Sequence, residues 1–163
     1  MHYHDITKDD MKNGSGLRVV LWVSGCAHGC KDCQNPITWD PNCGLEYDKS
    51  AEEEVINLLA ADYISGLTLS GGDPLYIDNR EVVTNLCIKA KQLYPSKSIW
   101  LYTGYMWDDV KELEISKYID VCVDGRFDVG KRDVKLKWRG SANQRVIDVK
   151  KSLQDGNVIL YCD

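Results

Sequence analysis

The sequence predicts an α/β fold in which a mostly parallel sheet is covered by helices on its outside. Short apolar runs at residues 17–23, 67–70, 99–102 and 119–123 have the length and composition of buried strands. Longer stretches that mix polar and apolar residues separate these runs. Because strands connected by helical crossovers pair in parallel, the two observations together predict consecutive β/α units.

The first helix is expected to begin at Ser50, a residue type that commonly caps helices. Three acidic residues follow within the next turn, where the positive end of the helix dipole favours them. The apolar residues Val55, Ile56, Leu58 and Leu59 then recur with a helical period of 3.6 residues. One amphipathic helix is therefore predicted after the first strand.

The remaining elements follow from similar signals. A second helix is expected at residues 79–93, where Pro95 prevents its continuation, and a third at residues 108–117. Residues 158–161 are predicted to form a late strand, and the polar residues 139–145 a loop.

The length and composition indicate one soluble domain over residues 1–163. That length is enough for one core but short for a closed eight-stranded barrel. Apolar residues make up 44% of the chain, and no apolar run reaches the roughly 18 residues of a membrane span. The start lacks the pattern of a signal peptide, and the net charge of −5 argues against nucleic-acid binding. We therefore expect a cytoplasmic protein without membrane or nucleic-acid partners.

The seven cysteines divide into a cluster of three and four scattered residues. An odd number of thiols in a reducing compartment favours metal binding or catalysis over disulfides. Scattered cysteines more often pack as small buried side chains. The four scattered residues are Cys43, Cys87, Cys122 and Cys162.

The clustered cysteines, Cys26, Cys30 and Cys33, have spacings of four and three residues. On a helix the outer two would lie roughly 10 Å apart along the axis, too far apart to bind one compact centre. Thiolates at about 2.3 Å from a metal must converge, so the segment is expected to wrap as a loop. Three ligands are one fewer than a closed zinc or iron-sulfur site uses, which leaves one metal position open.

A fourth ligand from elsewhere is the main alternative for this loop. His28 would complete a Cys3His zinc site, although its place between two of the cysteines makes such binding sterically awkward. Packing within the loop, or a supporting contact behind the metal ligands, is the favoured role for His28. Cys43 is a more distant candidate.

Unusual loops follow each of the four main predicted strands. They contain GCAHGCKDC, GGDP, TGY and DGRF, in chain order. In parallel α/β folds, reactive groups collect on the loops after the carboxyl ends of the strands. The four loops are therefore expected to form one site, although GGDP by itself would also suit a simple turn.

Further motifs occur in a fixed order along the chain. They are NGSGLR at residues 13–18, SGGDPL at 70–75, YTGY at 102–105, VDGRF at 123–127 and RGSANQR at 139–145. With Cys-x3-Cys-x2-Cys, this set resembles the radical S-adenosylmethionine enzymes, and more closely the anaerobic ribonucleoside-triphosphate reductase activating proteins. The resemblance implies an incomplete β/α barrel of the radical S-adenosylmethionine type. It also implies that Cys26, Cys30 and Cys33 hold a 4Fe-4S cluster whose open iron binds S-adenosylmethionine.

The resemblance further implies contacts to the methionyl part of S-adenosylmethionine. Gly71, Gly72 and Asp73 would receive its ammonium group, since glycines allow close approach and a carboxylate accepts a charge-assisted hydrogen bond. Asp124 and Arg126 would lie near its carboxylate, where an arginine can form two parallel hydrogen bonds. A surface ion pair is an equally open role for Arg126.

The adenosine part is expected to contact two other segments. Thr103 and Tyr105 would lie near the ribose, although Tyr105 would also suit the core. Radical S-adenosylmethionine enzymes commonly carry an aromatic residue just before the third cysteine, whereas this chain has Asp32 there. The backbone of Asp32, Cys33 and Gln34 is therefore expected to contact the adenine in place of a stacked ring.

The activity implied by the resemblance is the formation of a glycyl radical on an anaerobic ribonucleoside-triphosphate reductase. A reduced cluster would cleave S-adenosylmethionine to a 5′-deoxyadenosyl radical, with electrons from a donor such as a flavodoxin or ferredoxin. Two alternatives stay open: a radical S-adenosylmethionine enzyme for a small molecule, and a noncatalytic module that binds metal through cysteines.

Overall fold

One sheet of seven strands runs through the structure, a computed structural model that describes residues 1–161. The strands are β1 (His2–Asp10), β2 (Arg18–Val23), β3 (Leu45–Glu46), β4 (Gly66–Gly71), β5 (Ser98–Tyr102), β6 (Val121–Asp124) and β7 (Arg145–Asp148). Their order is β3-β1-β2-β4-β5-β6-β7. The four central strands β2, β4, β5 and β6 are parallel, whereas β1, β3 and β7 pair antiparallel with their neighbours. The predicted α/β class with a mostly parallel sheet is confirmed.

Four α-helices accompany this sheet. They are α1 (Lys49–Leu59), α2 (Arg80–Leu93), α3 (Trp107–Val110) and α4 (Val149–Asp155). The N-cap of α1 is Asp48 rather than the predicted Ser50, because the Asp48 carboxylate accepts a hydrogen bond from the N–H of Ala51 at 2.9 Å. Within residues 1–161, no helix has both the length and the apolar character needed to cross a membrane.

Buried apolar side chains cover both faces of the central strands. On one face, Leu21, Leu69 and Leu101 lie in register on neighbouring strands and belong to the main core with residues of α1 and α2. On the opposite face, Trp100 lies in a second, smaller apolar cluster, where its ring packs edge-on against Trp138 at 4.9 Å. The central part of the sheet is therefore an internal layer, which explains why its strands are continuous apolar runs.

The first residue of β2, Arg18, is fully buried and hydrogen-bonded only to neutral groups within the described chain. Its Nε donates to the hydroxyl of Thr68 at 2.7 Å, and Nη2 donates to the carbonyls of Leu67 and Ser98 at 2.7 and 2.9 Å. The guanidinium carbon lies 5.4 Å from the centre of the Trp100 ring. Burial lowers the pKa of Arg18 to about 10, since water is excluded from the charge.

The structure differs from the prediction in the less apolar segments. The helix predicted at 108–117 is wrong: α3 ends at Val110, and a separate 3-10 helix covers Glu114–Lys117. The strand predicted at 158–161 is also wrong, since Leu160 forms only an isolated bridge to Ile147. The sequence reasoning missed β1, β3, β7 and α4 because these elements are short or largely polar.

The cysteines outside the loop differ in burial. Cys87 and Cys122 are fully buried, as predicted, and burial raises the pKa of the Cys87 thiol to about 12. Cys43 was also predicted to be buried, but it is partly exposed. Cys162, which was expected to be a buried side chain, lies outside the described residues.

Candidate active site

The loops that follow β2, β4, β5 and β6 open onto one cavity of about 770 Å³. Its volume is in the range of pockets that hold small molecules and cofactors. Because parallel strands place their carboxyl ends at one edge of a sheet, the four loops were expected to meet, and this is confirmed. The predicted site residues that line the cavity are Cys26, Cys30, Cys33, Gln34, Gly71, Gly72, Thr103 and Arg126.

The cysteine loop, defined as residues 24–35, is irregular rather than helical. Its beginning is fixed by backbone hydrogen bonds from Gly25 to Thr38 (2.8 Å) and from Cys26 to Trp39 (3.1 Å). All three of its cysteines are partly exposed and face the same cavity, whereas Cys43 does not line it. The prediction that this segment is a loop rather than a helix, inferred from the cysteine spacing, is confirmed.

Two backbone N–H groups lie against sulfur atoms of this loop. The N–H of Asn35 donates to Sγ of Cys33 at 3.4 Å, and the N–H of His28 interacts with Cys26. Burial raises the pKa of the Cys26 thiol, and the N–H of His28 opposes that effect by favouring the thiolate. N–H groups directed at sulfur suit cysteines that act as thiolate ligands.

The thiols are not gathered around a single point. Among residues 1–161, no three His, Cys, Asp or Glu side chains are arranged as they would be around one metal ion. A single zinc ion requires all its thiolates on one atom, whereas the cysteines of an iron-sulfur cluster bind different irons.

Asp73 lies behind the cavity, almost fully buried, and both of its carboxylate oxygens accept hydrogen bonds. Oδ1 accepts from the N–H of Leu75 at 2.8 Å, and both oxygens lie 2.9 Å from the hydroxyl of Thr103. Oδ2 also accepts from the N–H of Gly104 at 3.0 Å and lies 2.5 Å from Nε2 of His28. The carboxylate expected to receive the methionyl ammonium group is thus already engaged inside the protein.

His28 is enclosed on its other sides by the loop after β5. Its ring packs edge-on against the ring of Tyr105, with the ring centres 4.8 Å apart. The guanidinium carbon of Arg80 lies over the Tyr105 ring, 5.3 Å from the ring centre. A Cβ atom placed on Gly104 would lie 2.4 to 2.7 Å from atoms of the imidazole. Any side chain at position 104 would therefore displace His28, which explains the glycine in TGY.

Gly72 brings the end of β4 against the cysteine loop. A Cβ atom there would lie 2.5 Å from the carbonyl oxygen of Gly25 and 2.8 Å from that of Thr38. The N–H of Asp73 donates to the same Gly25 oxygen at 2.7 Å. The GG pair, Gly71 and Gly72, therefore packs the end of β4 against the cysteine loop in addition to lining the cavity wall.

The Asp-x-Arg pair at the end of β6 consists of one residue in the protein interior and one at the cavity. Asp124 is fully buried, where it accepts from the N–H of Trp107 at 2.8 Å and pairs with Nη2 of Arg145 at 2.5 Å. That hydrogen bond raises the pKa of Arg145. Arg126 is exposed and lines the cavity. Of the two residues, only Arg126 is available to a bound molecule.

Asp32 is not among the residues that line the cavity. It has a φ of 55°, in the left-handed region, and its side chain is exposed. Its neighbours Cys33 and Gln34 do line the cavity. Residue 32 therefore turns the chain, which is consistent with the absence of an aromatic side chain there.

Several cavity residues were not predicted as site residues. Trp22 and Tyr102 are strand residues whose apolar neighbours suggested the core, and no local signal marked Lys12; Phe127 belongs to the predicted DGRF loop but was not itself named as a site residue. The loop at 139–145 contributes Arg139, Gly140 and Gln144.

Comparison with protein families gives one match that covers most of the chain. A family model described as a 4Fe-4S single cluster domain matches residues 12–147. This range contains the cysteine loop and all four strand-end loops that form the cavity.

Curated proteins with high similarity carry a common name, anaerobic ribonucleoside-triphosphate reductase-activating protein. The protein of Enterobacteria phage T4 is 47% identical over 146 residues, which cover 90% of this chain and 93% of that protein. The Haemophilus influenzae protein is 43% identical over 148 residues, which cover 88% of this chain and 96% of that protein. The Escherichia coli K12 protein is 40% identical over 150 residues, covering 90% and 97%.

Proposed function

We propose, since this chain belongs to the family of anaerobic ribonucleoside-triphosphate reductase-activating proteins, that it forms a glycyl radical on such a reductase. The reaction is the reductive cleavage of S-adenosylmethionine at a 4Fe-4S cluster. One observation supports this above all: the three cysteines share a single cavity with the GG pair, Thr103 and Arg126.

Cys26, Cys30 and Cys33 are the proposed cluster ligands. Their thiols face the cavity, backbone N–H groups lie against the sulfur atoms of Cys26 and Cys33, and Cys43 does not line the cavity. When bound, the cluster supplies one electron to the sulfonium of S-adenosylmethionine, whose carbon-sulfur bond breaks to give methionine and a 5′-deoxyadenosyl radical. The protein contributes the placement of these groups and their protection from side reactions.

S-adenosylmethionine is proposed to lie in the same cavity. Gly71 and Gly72 offer backbone groups that a ligand can approach closely, and Arg126 offers two parallel donors to a carboxylate. The hydroxyl of Thr103 is proposed to lie near the ribose, and the backbone at Gln34 near the adenine. The cavity size supports a ligand as large as a nucleoside with an amino-acid chain.

Asp73 and Asp124 are proposed to support this site from behind it. The carboxylate of Asp73 orients the hydroxyl of Thr103, and Asp124 holds the chain before Arg126 through Arg145 and Trp107. Asp32 is proposed to contribute only the turn that directs its neighbours toward the cavity. These roles replace the direct ligand contacts that the sequence suggested.

The substrate is proposed to be a glycine within the reductase. The glycine Cα would lose one hydrogen atom to the 5′-deoxyadenosyl radical that S-adenosylmethionine would supply, which would leave 5′-deoxyadenosine and a glycyl radical. The sheet ends at two separate edges, β3 and β7, which supports an incomplete β/α barrel with an open side for a protein loop. A flavodoxin or ferredoxin is the proposed source of the electron.

The test is anaerobic reconstitution of the protein with iron and sulfide, followed by reduction with dithionite. Formation of 5′-deoxyadenosine is measured with and without the cognate reductase, and the glycyl radical is detected by electron paramagnetic resonance. We expect both products in the complete mixture.

Two other outcomes would contradict the proposal in different ways. A fully loaded iron-sulfur protein that does not cleave S-adenosylmethionine would be a noncatalytic metal module. Cleavage without a glycyl radical on the reductase would indicate a different substrate, such as a small molecule.

A further inference from the structure

A strongly basic loop, residues 131–139, forms part of the cavity rim. It contains five Lys or Arg residues and one Asp, a charge of +4, so the rest of this chain of net charge −5 carries −9. The basic loop is therefore a local concentration of positive charge on an acidic protein. Its residues that line the cavity are Arg132, Asp133, Val134, Leu136, Trp138 and Arg139.

The base of the basic loop is firmly attached to the protein. Trp138 packs against Trp100 and Tyr161, with ring centres 4.9 and 5.9 Å apart. At the other end, the carbonyl of Lys131 accepts from the N–H of Ala142 at 2.8 Å. Both ends of the loop are thus fixed, and its middle projects from a defined position.

The projecting part presents groups that have no partner within the described chain. Val134 is 84% exposed, although it is apolar. Arg132, Lys135 and Lys137 are exposed, and none of them forms an ion pair with a carboxylate of residues 1–161. Three unpaired cations around one exposed apolar side chain make a surface suited to an acidic polypeptide.

We propose that the basic loop docks an extended, acidic segment of the reductase, with an apolar side chain of that segment against Val134. The inference rests on the proposed function, because it places the target glycine at the cavity that contains the cysteines. Carboxylates flanking the segment would pair with Lys135 and Lys137, which lie on the rim outside the cavity lining. This pairing would guide the glycine into the opening and accelerate association.

The position and the charge of the basic loop favour a segment of the reductase over a nucleic acid or an electron donor. The remainder of the chain, with a charge of −9, would repel the phosphates of a nucleic acid. An acidic electron donor bound at this rim would obstruct the opening through which the glycine must enter. Electron transfer does not require entry into the cavity, so the rim is better suited to the segment that is modified.

The experiment compares the full-length protein with a variant that combines Lys135→Glu and Lys137→Glu. A matched control combines Lys8→Glu and Lys117→Glu, which reverse two exposed charges away from the cavity and produce the same net charge. A third variant, Val134→Ser, tests the apolar contact. All are reconstituted anaerobically and reduced with dithionite, so that no protein donor is needed.

We expect the glycyl radical to form about tenfold more slowly with the Lys135/Lys137 variant at low ionic strength. This difference should shrink as salt screens the charges, while cleavage of S-adenosylmethionine without the reductase stays at the wild-type rate. The Lys8/Lys117 control should behave like the wild type, and Val134→Ser should weaken reductase binding at every salt concentration.

Three results would overturn the inference. Equal radical formation by the Lys135/Lys137 variant and the control would show that the basic loop does not dock the reductase. A defect seen only when a flavodoxin or ferredoxin replaces dithionite would assign the loop to the electron donor. Failure of the wild type itself to form the radical would instead reject the proposed function.

Discussion

Nε2 of His28 lies 2.5 Å from Oδ2 of Asp73, although the two residues are 45 positions apart in the chain. The contact joins the middle of the cysteine loop to the end of β4. Asp73 also accepts hydrogen bonds from Thr103 and Gly104, which follow β5. His28 thus holds three of the four strand-end loops together, and this describes its role better than that of a fourth metal ligand.

Replacing His28 by alanine is expected to loosen the cysteine loop and accelerate iron release to a chelator by about tenfold. His28→Gln should release iron more slowly than His28→Ala, because its amide can still donate to Asp73. Hydrogen exchange at residues 25–35 of the metal-free protein should increase in the same order. Lys31→Ala, an exposed change in the same loop, is the control. Identical exchange in His28→Ala and the wild type would exclude the positioning role.

Gly104→Ala is expected to reproduce much of the effect of His28→Ala. The added Cβ would lie 2.4 to 2.7 Å from the imidazole and would push the ring from Asp73. The measurements are the midpoint temperature of thermal unfolding and the iron content after reconstitution, and both values should fall. Gly130→Ala is a suitable control, since its Cβ would meet only the side chain of Asp128 at 3.2 Å. Normal iron content in Gly104→Ala would show that the ring can move without consequence.

Single replacement of Cys26, Cys30 or Cys33 by alanine is expected to abolish the intact cluster and the cleavage of S-adenosylmethionine together. Cys43→Ala should preserve both, because Cys43 does not line the cavity. Iron and sulfide analysis with visible absorption spectra of the reconstituted proteins provides the measurement. Loss of the cluster in Cys43→Ala would contradict the three-ligand assignment.

Asp120→Asn is expected to destabilise the protein by about 1–3 kcal/mol at pH 7 and by less in acid. Burial opposes ionisation of Asp120, but ion pairs with Lys150 and Lys91 and the N–H of Ile99 together hold its pKa below the ordinary value of 3.8. A carboxylate whose pKa is lower in the folded protein than in the unfolded chain stabilises the fold at pH values above its pKa in the unfolded chain. This stabilisation is lost as the pH falls through the pKa of the carboxylate in the folded protein.

Urea unfolding of the metal-free wild type and of Asp120→Asn at pH 7 and pH 3 tests this linkage. The difference in the free energy of unfolding between the two proteins should be larger at pH 7 than at pH 3. The exposed change Asp62→Asn serves as the control and should have little effect at either pH. A difference that grows in acid would have the wrong sign and would refute the assignment.

The central strands and α2 were predictable because their signals are local. β2, β4 and β5 are short apolar runs, and the prediction placed each within one or two residues of its bounds. Strand β1 contains His, Asp and Lys and is paired on both sides, with β2 and β3, by contacts that the local sequence does not reveal. Its structure depends on tertiary pairing, which local sequence signals do not encode.

The candidate site was predictable to the level of its loops but not of its internal contacts. Strand-end loops in parallel folds meet at one edge, so the cavity followed from the order of the motifs. The pairing of Asp124 with Arg145 depends on the register between β6 and β7, where these two residues are opposite each other. The contact between His28 and Asp73 likewise depends on how two loops fold, and no spacing rule connects them.

The buried Arg18 imposes a constraint on how this sequence can diverge. Its donors satisfy acceptors on Thr68, Leu67 and Ser98, and the hydroxyl of Thr68 in turn donates to the carbonyl of Asn13 at the cavity wall. A change at Arg18, Thr68 or Ser98 alone would leave a polar group buried without a partner. We therefore expect these three positions to change together or not at all among descendants of this protein.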